Sequence, residues 1–160
     1  MPTGGGLFEL SALFPASVAV ASATTPSALP LYPDEEALLA RAVERRRADF
    51  TTGRACARQA LSQLGVPPGP IGRGATREPL WPEGICGSIT HCDGFWAAAV
   101  ARSTDIRSVG LDAEARTALR SDVLARVTVP AERDWLRRAE SGVPWDVLCF
   151  SAKESVYKAW

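Results

Sequence analysis

The sequence predicts an α+β fold in which a small antiparallel sheet packs against helices. Three short apolar stretches follow one another in the middle of the chain, at 85–90, 95–102 and 106–113, with only tight turns between them. Such spacing predicts an antiparallel meander. Two segments with helical patterns precede these strands and three follow them, and helices of this kind can cover a sheet that buries one face.

Length and composition describe an ordinary globular chain. It has 160 residues, of which 46% are hydrophobic, and its formal net charge is zero. This length is enough for one domain with a real core and too short for two large domains. A neutral chain whose arginines are not interleaved with aromatic residues is not expected to bind nucleic acid.

The apolar stretch Leu7–Ala23 raises the question of a signal peptide. No Lys or Arg precedes Arg41, and Glu9 and Pro15 interrupt the stretch. It therefore predicts a buried strand near Ser17–Ser22 after a loose Gly-rich start, and neither a secretion signal nor a membrane span. Four cysteines without C-x-x-C spacing, beside a single histidine, are typical of reduced thiols in the cytoplasm and do not indicate zinc.

Two Arg-rich helices are predicted before the three central strands. Pro33 and the acidic residues after it suit a helix start, and this helix is predicted to run to about Arg47. Residues 49–52 are predicted to form a corner. A threonine of this corner is expected to cap a second helix that ends at Leu64, before a glycine.

Turn residues define the other elements. A Pro- and Gly-rich loop spans residues 66–84, and the Asp-Gly pair within 91–94 predicts the turn between the first two strands. Three further helices are predicted, the last two with a proline in the first turn. They are Asp122–Val127, Pro130–Glu140 and Pro144–Trp160.

Two acids at the end of the third predicted strand indicate a cation site. Asp112 and Glu114 are two residues apart, so on an extended strand both carboxylates project from the same face. Facing carboxylates raise each other's pKa unless a cation lies between them. Oxygen donors without a nearby imidazole or thiolate suit magnesium rather than zinc. The alternative is a pair of acids on a solvated strand end.

The last stretch, Phe150–Trp160, contains both lysines of the chain, Lys153 and Lys158. Its composition favours a helix without interruption by Gly or Pro. On that helix a carboxylate, an ammonium and two hydroxyls share one side, at Ser151, Glu154, Ser155 and Lys158. The simplest alternative is an exposed Glu–Lys pair that stabilises the helix slightly.

Three motifs carry a family resemblance. Phe150-Ser-Ala-Lys-Glu-Ser-Val-Tyr-Lys resembles the signature W/F-S/C-x-K-E-[SA]-x-x-K of the Sfp-type 4′-phosphopantetheinyl transferases. Gly87-Ser-Ile-Thr-His resembles their G-S-[IVL]-[ST]-H motif, and Ser108-Val-Gly-Leu-Asp-Ala-Glu resembles their S-V-G-[ILV]-D-x-E motif. The Arg-rich run before residue 60 is similar to the version in actinobacterial members.

The resemblance implies a fold and a reaction. Members of the family have two similar lobes with the active site at their seam. Residues 1–114 would form the first lobe, an antiparallel sheet packed with helices, and residues 115–160 an incomplete second lobe with the signature helix. The implied reaction transfers the 4′-phosphopantetheine arm of coenzyme A to a serine of an apo acyl or peptidyl carrier protein. It depends on magnesium and releases 3′,5′-ADP.

The resemblance also implies roles for individual residues. Asp112, Glu114 and Glu154 would bind magnesium. Glu154 would also act as a base, and Lys158 would act on the leaving side. The residues implied to contact coenzyme A are Arg46, Arg54, Arg77 (with Arg73 as its alternative), Thr90, His91, Lys153 and Lys158.

Partners and alternatives complete these expectations. The implied partners are coenzyme A and carrier proteins, with no nucleic acid and no membrane, and the full-length family form is expected to be a monomer. Val123, Leu124 and Arg126 are candidates for the carrier-protein surface, and the alternative for Val123 and Leu124 is a place in the core. The alternatives are a non-catalytic coenzyme A-binding fragment, because family members continue past the signature helix, and a magnesium-dependent phosphohydrolase.

Overall fold

The computed structural model describes residues 9–160 and confirms the predicted α+β fold. The strands are β1 (Val18–Ala23), β2 (Gly72–Arg73), β3 (Pro79–Leu80), β4 (Ile85–Cys92) and β5 (Phe95–Arg102). The helices are α1 (Pro33–Ala37), α2 (Glu44–Gln63), α3 (Ser121–Val127), α4 (Pro130–Leu136) and α5 (Trp145–Ala159), and a 3-10 helix spans Leu10–Leu13. The predicted Gly-rich start lies outside the described residues.

Strand β5 is the centre of the main sheet, whose antiparallel order is β1-β5-β4. Residues Trp96 to Ala101 are almost completely buried because both edges and both faces of this strand are covered. Four of these six residues are alanines. Their small side chains let the layers on the two faces approach the sheet closely.

The hairpin between β4 and β5 is confirmed, with a tighter turn than expected. Strand β4 continues two residues past its predicted end and includes His91 and Cys92. Only Asp93 and Gly94 remain as the connection. Gly94 has a φ of +71°, a conformation that favours glycine.

The prediction of a third strand at 106–113 is wrong. The third strand is β1, which was predicted within one residue of its observed ends and which pairs with the outer edge of β5. Segment 106–113 instead crosses the face of the sheet, where Val109 and Leu111 are buried against the alanines of β5. The alternating apolar residues of this segment pack on the face of the sheet, and the segment forms no strand within the sheet.

The prediction of a corner at 49–52 is also wrong, since α2 runs through it without interruption. Thr52 is buried and donates its hydroxyl to the carbonyl of Ala48 inside the helix (2.8 Å). The Asp49 carboxylate accepts a hydrogen bond from the Trp96 indole (3.0 Å). Asp and Thr residues often begin helices, but here Asp49 and Thr52 form their side-chain hydrogen bonds from positions within α2. The first helix ends at Ala37, not near Arg47.

Helix α2 covers the other face of the sheet. Its buried side, which includes Cys56, Ala57, Ala60 and Leu61, packs on β1 and β5. Helices α3, α4 and α5 lie close to their predicted positions, although α4 ends at Leu136 instead of Glu140. None of the described helices has the length and apolar character needed to cross a membrane.

Glu35 joins three parts of the fold from a fully buried position. Both of its carboxylate oxygens accept hydrogen bonds from the Arg58 guanidinium (2.9 and 3.0 Å). It also accepts the backbone N–H groups of Tyr32 and Ile71. Glu35 thus ties α1 to α2 and to the loop before β2.

Replacement of Glu35 by Ala is expected to lower the free energy of unfolding by about 3–5 kcal/mol, because the largely buried guanidinium of Arg58 loses its counter-charge. Urea unfolding measures this loss. The matched control is Glu36→Ala, whose half-exposed pair with Arg47 should contribute less than about 1 kcal/mol. Equal losses in the two variants would contradict a structural role for the buried carboxylate.

Candidate functional site

Residues from three separate motifs meet at the edge of the sheet. The Lys158 ammonium lies 2.6 Å from Asp112 Oδ1 and also donates to the Leu111 carbonyl (3.3 Å). The Thr90 hydroxyl is 3.4 Å from Lys158 Nζ and accepts the backbone N–H of Ala113 (2.9 Å). Three residues implied by the family resemblance, on β4, on segment 106–113 and on α5, therefore share one site.

Gly110 allows this convergence. A methyl group at this position would overlap the carbonyl oxygen of Ser155 and come within 3.0 Å of the Ala159 methyl. Helix α5 therefore lies directly on the backbone of segment 106–113, which brings Lys158 to Asp112. Gly110 is part of the motif at 108–114 in the sequence. The need for a glycine at this position is visible only in its contact with α5.

Asp112 and its two acidic neighbours form a group of negative charges. Asp112 Oδ2 is buried and has no hydrogen-bond partner among the described residues. Burial raises the pKa of Glu114 above its ordinary value, and the charges of Asp112 and Glu154 raise it further, while Lys158 acts in the opposite direction. Negative charges in this arrangement are stabilised by a cation.

This donor set fits the magnesium ion that the sequence predicts. Within residues 9–160, no three His, Cys, Asp or Glu side chains already converge closely enough to enclose a metal ion. However, the buried unpaired oxygen of Asp112 and the mutual repulsion of the carboxylates suit a hard divalent cation with oxygen ligands. Asp112, Glu114 and Glu154 would hold it.

A groove of about 730 Å³ extends from Lys158 across one end of β4. Arg77 lies in its wall on the turn between β2 and β3, with a φ of +76°. Trp81 forms part of the same wall and donates its indole N–H to the Gly87 carbonyl (3.1 Å). Arg77, expected to contact coenzyme A, thus shares a groove with Lys158.

Arg54 is buried and its guanidinium is engaged within the fold. It donates to the carbonyls of Ile71 and Gly72, both at 2.9 Å, and so fixes the loop that leads into β2. The pKa of Arg54 is lowered to about 10, mainly by burial. The negative charge of Glu35 raises this pKa, and the positive charges of Arg58, Arg73 and Arg46 lower it further. Basic residues therefore cluster here, with Arg46 exposed on α2.

His91 lies on the opposite face of β4 from Thr90, since neighbouring strand residues alternate. Its Nε2 is 3.7 Å from Asp49 Oδ2, and the other oxygen of Asp49 accepts the Trp96 indole N–H. These residues line a hollow of about 470 Å³ together with Arg45. The sequence analysis missed Asp49, because nothing local connects a residue within α2 to a histidine on β4.

Lys153 does not share the groove of Lys158. Its ammonium donates to the Val127 carbonyl and to Glu132 Oε2, both at 2.6 Å. The two lysines of α5 therefore have different surroundings: Lys158 meets the carboxylate site, and Lys153 meets the junction of α3 and α4.

Fold and site together describe an α+β protein in which acidic and lysine side chains meet beside a groove with basic residues, an arrangement suited to phosphate ligands. Comparison with protein families agrees. Residues 34–101 match the 4′-phosphopantetheinyl transferase N-terminal domain, and residues 108–160 match the 4′-phosphopantetheinyl transferase superfamily. The chain belongs to this family, as its motifs predicted.

Individual relatives support the same assignment. The chain is 50% identical over 135 residues to the 4′-phosphopantetheinyl transferase Npt of Nocardia iowensis. It is 53% identical over 133 residues to Svp of Streptomyces mobaraensis and 49% identical over 136 residues to PptT of Mycobacterium tuberculosis. The matches cover 84%, 81% and 84% of this chain but only 61%, 54% and 60% of those relatives.

Proposed function

We propose that this chain carries the coenzyme A and magnesium sites of an enzyme that transfers 4′-phosphopantetheine to a carrier protein. The acceptor is a serine of an apo acyl or peptidyl carrier protein, and the leaving group is 3′,5′-ADP. The observation that carries this proposal is the convergence of Thr90, Asp112 and Lys158 from three motifs. The relatives named above are 4′-phosphopantetheinyl transferases, which supports the reaction class.

The residues of the site suit this chemistry. Magnesium bound by the three carboxylates would neutralise the pyrophosphate of coenzyme A, and charge stabilisation and positioning dominate such transfers. Lys158, oriented by Asp112, would contact a phosphate oxygen on the leaving side. The Thr90 hydroxyl would donate to the same phosphates, and Glu154 would accept the proton of the attacking serine.

The basic residues suit the other end of coenzyme A. Arg46 and Arg73 lie near the buried Arg54, and guanidinium groups pair well with phosphate oxygens. We assign Arg46 on α2 and Arg73 on β2 to the 3′-phosphate, with Arg54 holding the loop that leads to Arg73. His91, next to Asp49, and Arg77 in the groove complete the proposed set of coenzyme A contacts.

The chain spans about half to three fifths of the length of the curated relatives it matches, so its own activity is part of the proposal. Residues 1–114 are assigned to the first lobe and residues 115–160 to the start of the second. Val156 and Tyr157 on α5, and Trp160 directly after it, are largely exposed, which is consistent with a further layer packing there. The four unpaired cysteines fit a reducing cytoplasm.

Intact-protein mass spectrometry of an apo carrier protein tests the function directly. We expect a mass gain equal to one phosphopantetheine arm after incubation with this chain, coenzyme A and magnesium. Chelation of magnesium should abolish the gain, because the carboxylates and the pyrophosphate repel each other without a cation.

The controls separate the alternative functions. A full-length relative should modify the same carrier under the same conditions. If it does and this chain does not, while this chain still binds coenzyme A, the chain is a non-catalytic binding fragment. Release of 3′,5′-ADP without any carrier protein would instead indicate a phosphohydrolase.

A further inference from the structure

Lys153 and Lys158 lie on the same helix but point to different sides of it. Five residues correspond to a rotation of about 140° around a helix axis. Lys158 accordingly meets Asp112, whereas Lys153 meets the end of α3 and the start of α4. Family resemblance implied a phosphate contact for both lysines, but in the structure their ammonium groups lie at different places and contact different residues.

The junction that Lys153 contacts is held together by its own hydrogen bonds. Thr128 is buried and donates its hydroxyl to the Leu124 carbonyl. Arg133 donates to the Thr128 carbonyl, and Glu132 accepts the backbone N–H of Val129 at the start of α4 (2.9 Å). Helices α3 and α4 therefore form a connected pair, residues 121–136.

Lys153 links this pair to α5 through two acceptors of negative character. The Val127 carbonyl lies at the C-terminal end of α3, where a positive charge is favourable. The Glu132 carboxylate supplies a full opposite charge, and its hydrogen bond to Lys153 lowers the pKa of Glu132 below its ordinary value. The two contacts, both at 2.6 Å, occupy two of the three N–H donors of the ammonium and direct it toward the α3–α4 junction.

We propose that Lys153 is a positioning residue, which fixes the α3–α4 pair against the signature helix and does not bind coenzyme A. The α3–α4 pair carries the residues predicted for the carrier-protein surface, Val123, Leu124 and Arg126. Lys153 thereby sets the orientation of that surface relative to Lys158 and Asp112. This inference rests on the proposed function and specifies how the carrier protein is aligned with the site.

Coenzyme A titration by calorimetry compares Lys153→Met with Lys158→Met. We expect Lys153→Met to bind coenzyme A with wild-type affinity. Lys158→Met should bind roughly 10- to 100-fold more weakly, the loss expected for one charge-assisted hydrogen bond. If Lys153→Met loses affinity as Lys158→Met does, the inference is overturned. If the wild-type chain binds no coenzyme A, the proposed function itself fails, which is a different result.

Amide hydrogen exchange tests the positioning role independently of coenzyme A. In Lys153→Met, the amides of residues 121–136 should exchange roughly tenfold faster, because the pair opens locally from α5. Glu132→Gln keeps an oxygen that accepts the Val129 N–H but loses the charge, and it should give the same increase. The double variant should show no further change. Unchanged exchange in Lys153→Met would overturn the inference.

The transfer assay distinguishes a positioning role from a general loss of stability. A general loss of stability would not change the half-saturating concentration of the carrier protein alone. For Lys153→Met, the half-saturating concentration of an apo acyl carrier protein should rise, while that of coenzyme A stays constant. Lys153→Arg, which keeps the charge, should restore most of the wild-type value. A rise in the coenzyme A value alone would overturn the inference.

Discussion

Asp112→Asn is expected to weaken divalent-cation binding by at least about 10- to 100-fold, because even residues that only support metal ligands contribute that much. The buried Oδ2 of Asp112 has no hydrogen-bond partner within residues 9–160, and an amide would replace one oxygen donor with N–H groups that a cation repels. Manganese is a suitable probe for the proposed magnesium site. Electron paramagnetic resonance of free manganese measures the affinity, at coenzyme A concentrations that saturate each variant.

Two variants make this measurement specific. Asp105→Asn removes an equal charge from an exposed position and should leave manganese affinity unchanged. Lys158→Met removes the ammonium 2.6 Å from Asp112, so it should retain or strengthen manganese binding, since the cation no longer competes with a positive charge. Wild-type affinity in Asp112→Asn would exclude Asp112 from the ligand set.

Local sequence signals were sufficient for elements whose boundaries are fixed by turn chemistry. The Asp-Gly pair predicted the connection between β4 and β5, and the prolines at 130 and 144 mark the starts of α4 and α5. These features depend on backbone preferences of a few residues, which the sequence states directly. Element β1 was found for a similar reason, as an apolar run bounded by Pro15 and a polar stretch.

The sequence did not show which of two segments pairs with the edge of β5, or which tertiary partners a polar side chain finds. The alternating residues of 106–113 suit a strand, but β1 occupies the free edge of β5 and the segment packs over the sheet through side-chain contacts. Ser88 and Cys86 of β4 donate to the Leu111 and Ile106 carbonyls. Likewise, Asp49 and Thr52 can begin a helix or lie inside one, and only their tertiary partners decide which.

In the candidate site, too, some features could be predicted from local sequence and others depend on tertiary contacts. Three residues that the resemblance singled out, Thr90, Asp112 and Lys158, lie in contact in the structure, and their roles stay predictions. The resemblance gave no information on residues that serve through packing. Arg54 and Lys153 are basic residues that the motifs associate with phosphate, yet in the fold they are bonded to backbone carbonyls. Burial and orientation, which distinguish these uses, depend on the whole chain.

Gly110→Ala is expected to destabilise the fold by about 1–3 kcal/mol or more, the usual cost of overpacking. The new methyl group would overlap the Ser155 carbonyl oxygen, so α5 must move away from segment 106–113. Movement of α5 breaks the 2.6 Å contact between Lys158 and Asp112. Urea unfolding measures the stability, and calorimetric titration with coenzyme A measures the effect on the site.

Gly69→Ala is the matched control, because no described atom beyond its own chain neighbours lies within 4 Å of the added methyl group. Its smaller unfolded-state entropy should leave it neutral or stabilise it by about 0.4–1 kcal/mol. The two variants make the same chemical change, so the difference between them isolates contact with α5. The clash at Gly110 involves the backbone of α5, so removal of the Ser155 hydroxyl cannot relieve it. Gly110→Ala with Ser155→Ala should be as unstable as Gly110→Ala alone, and recovery in the double variant would show that α5 does not lie on this glycine.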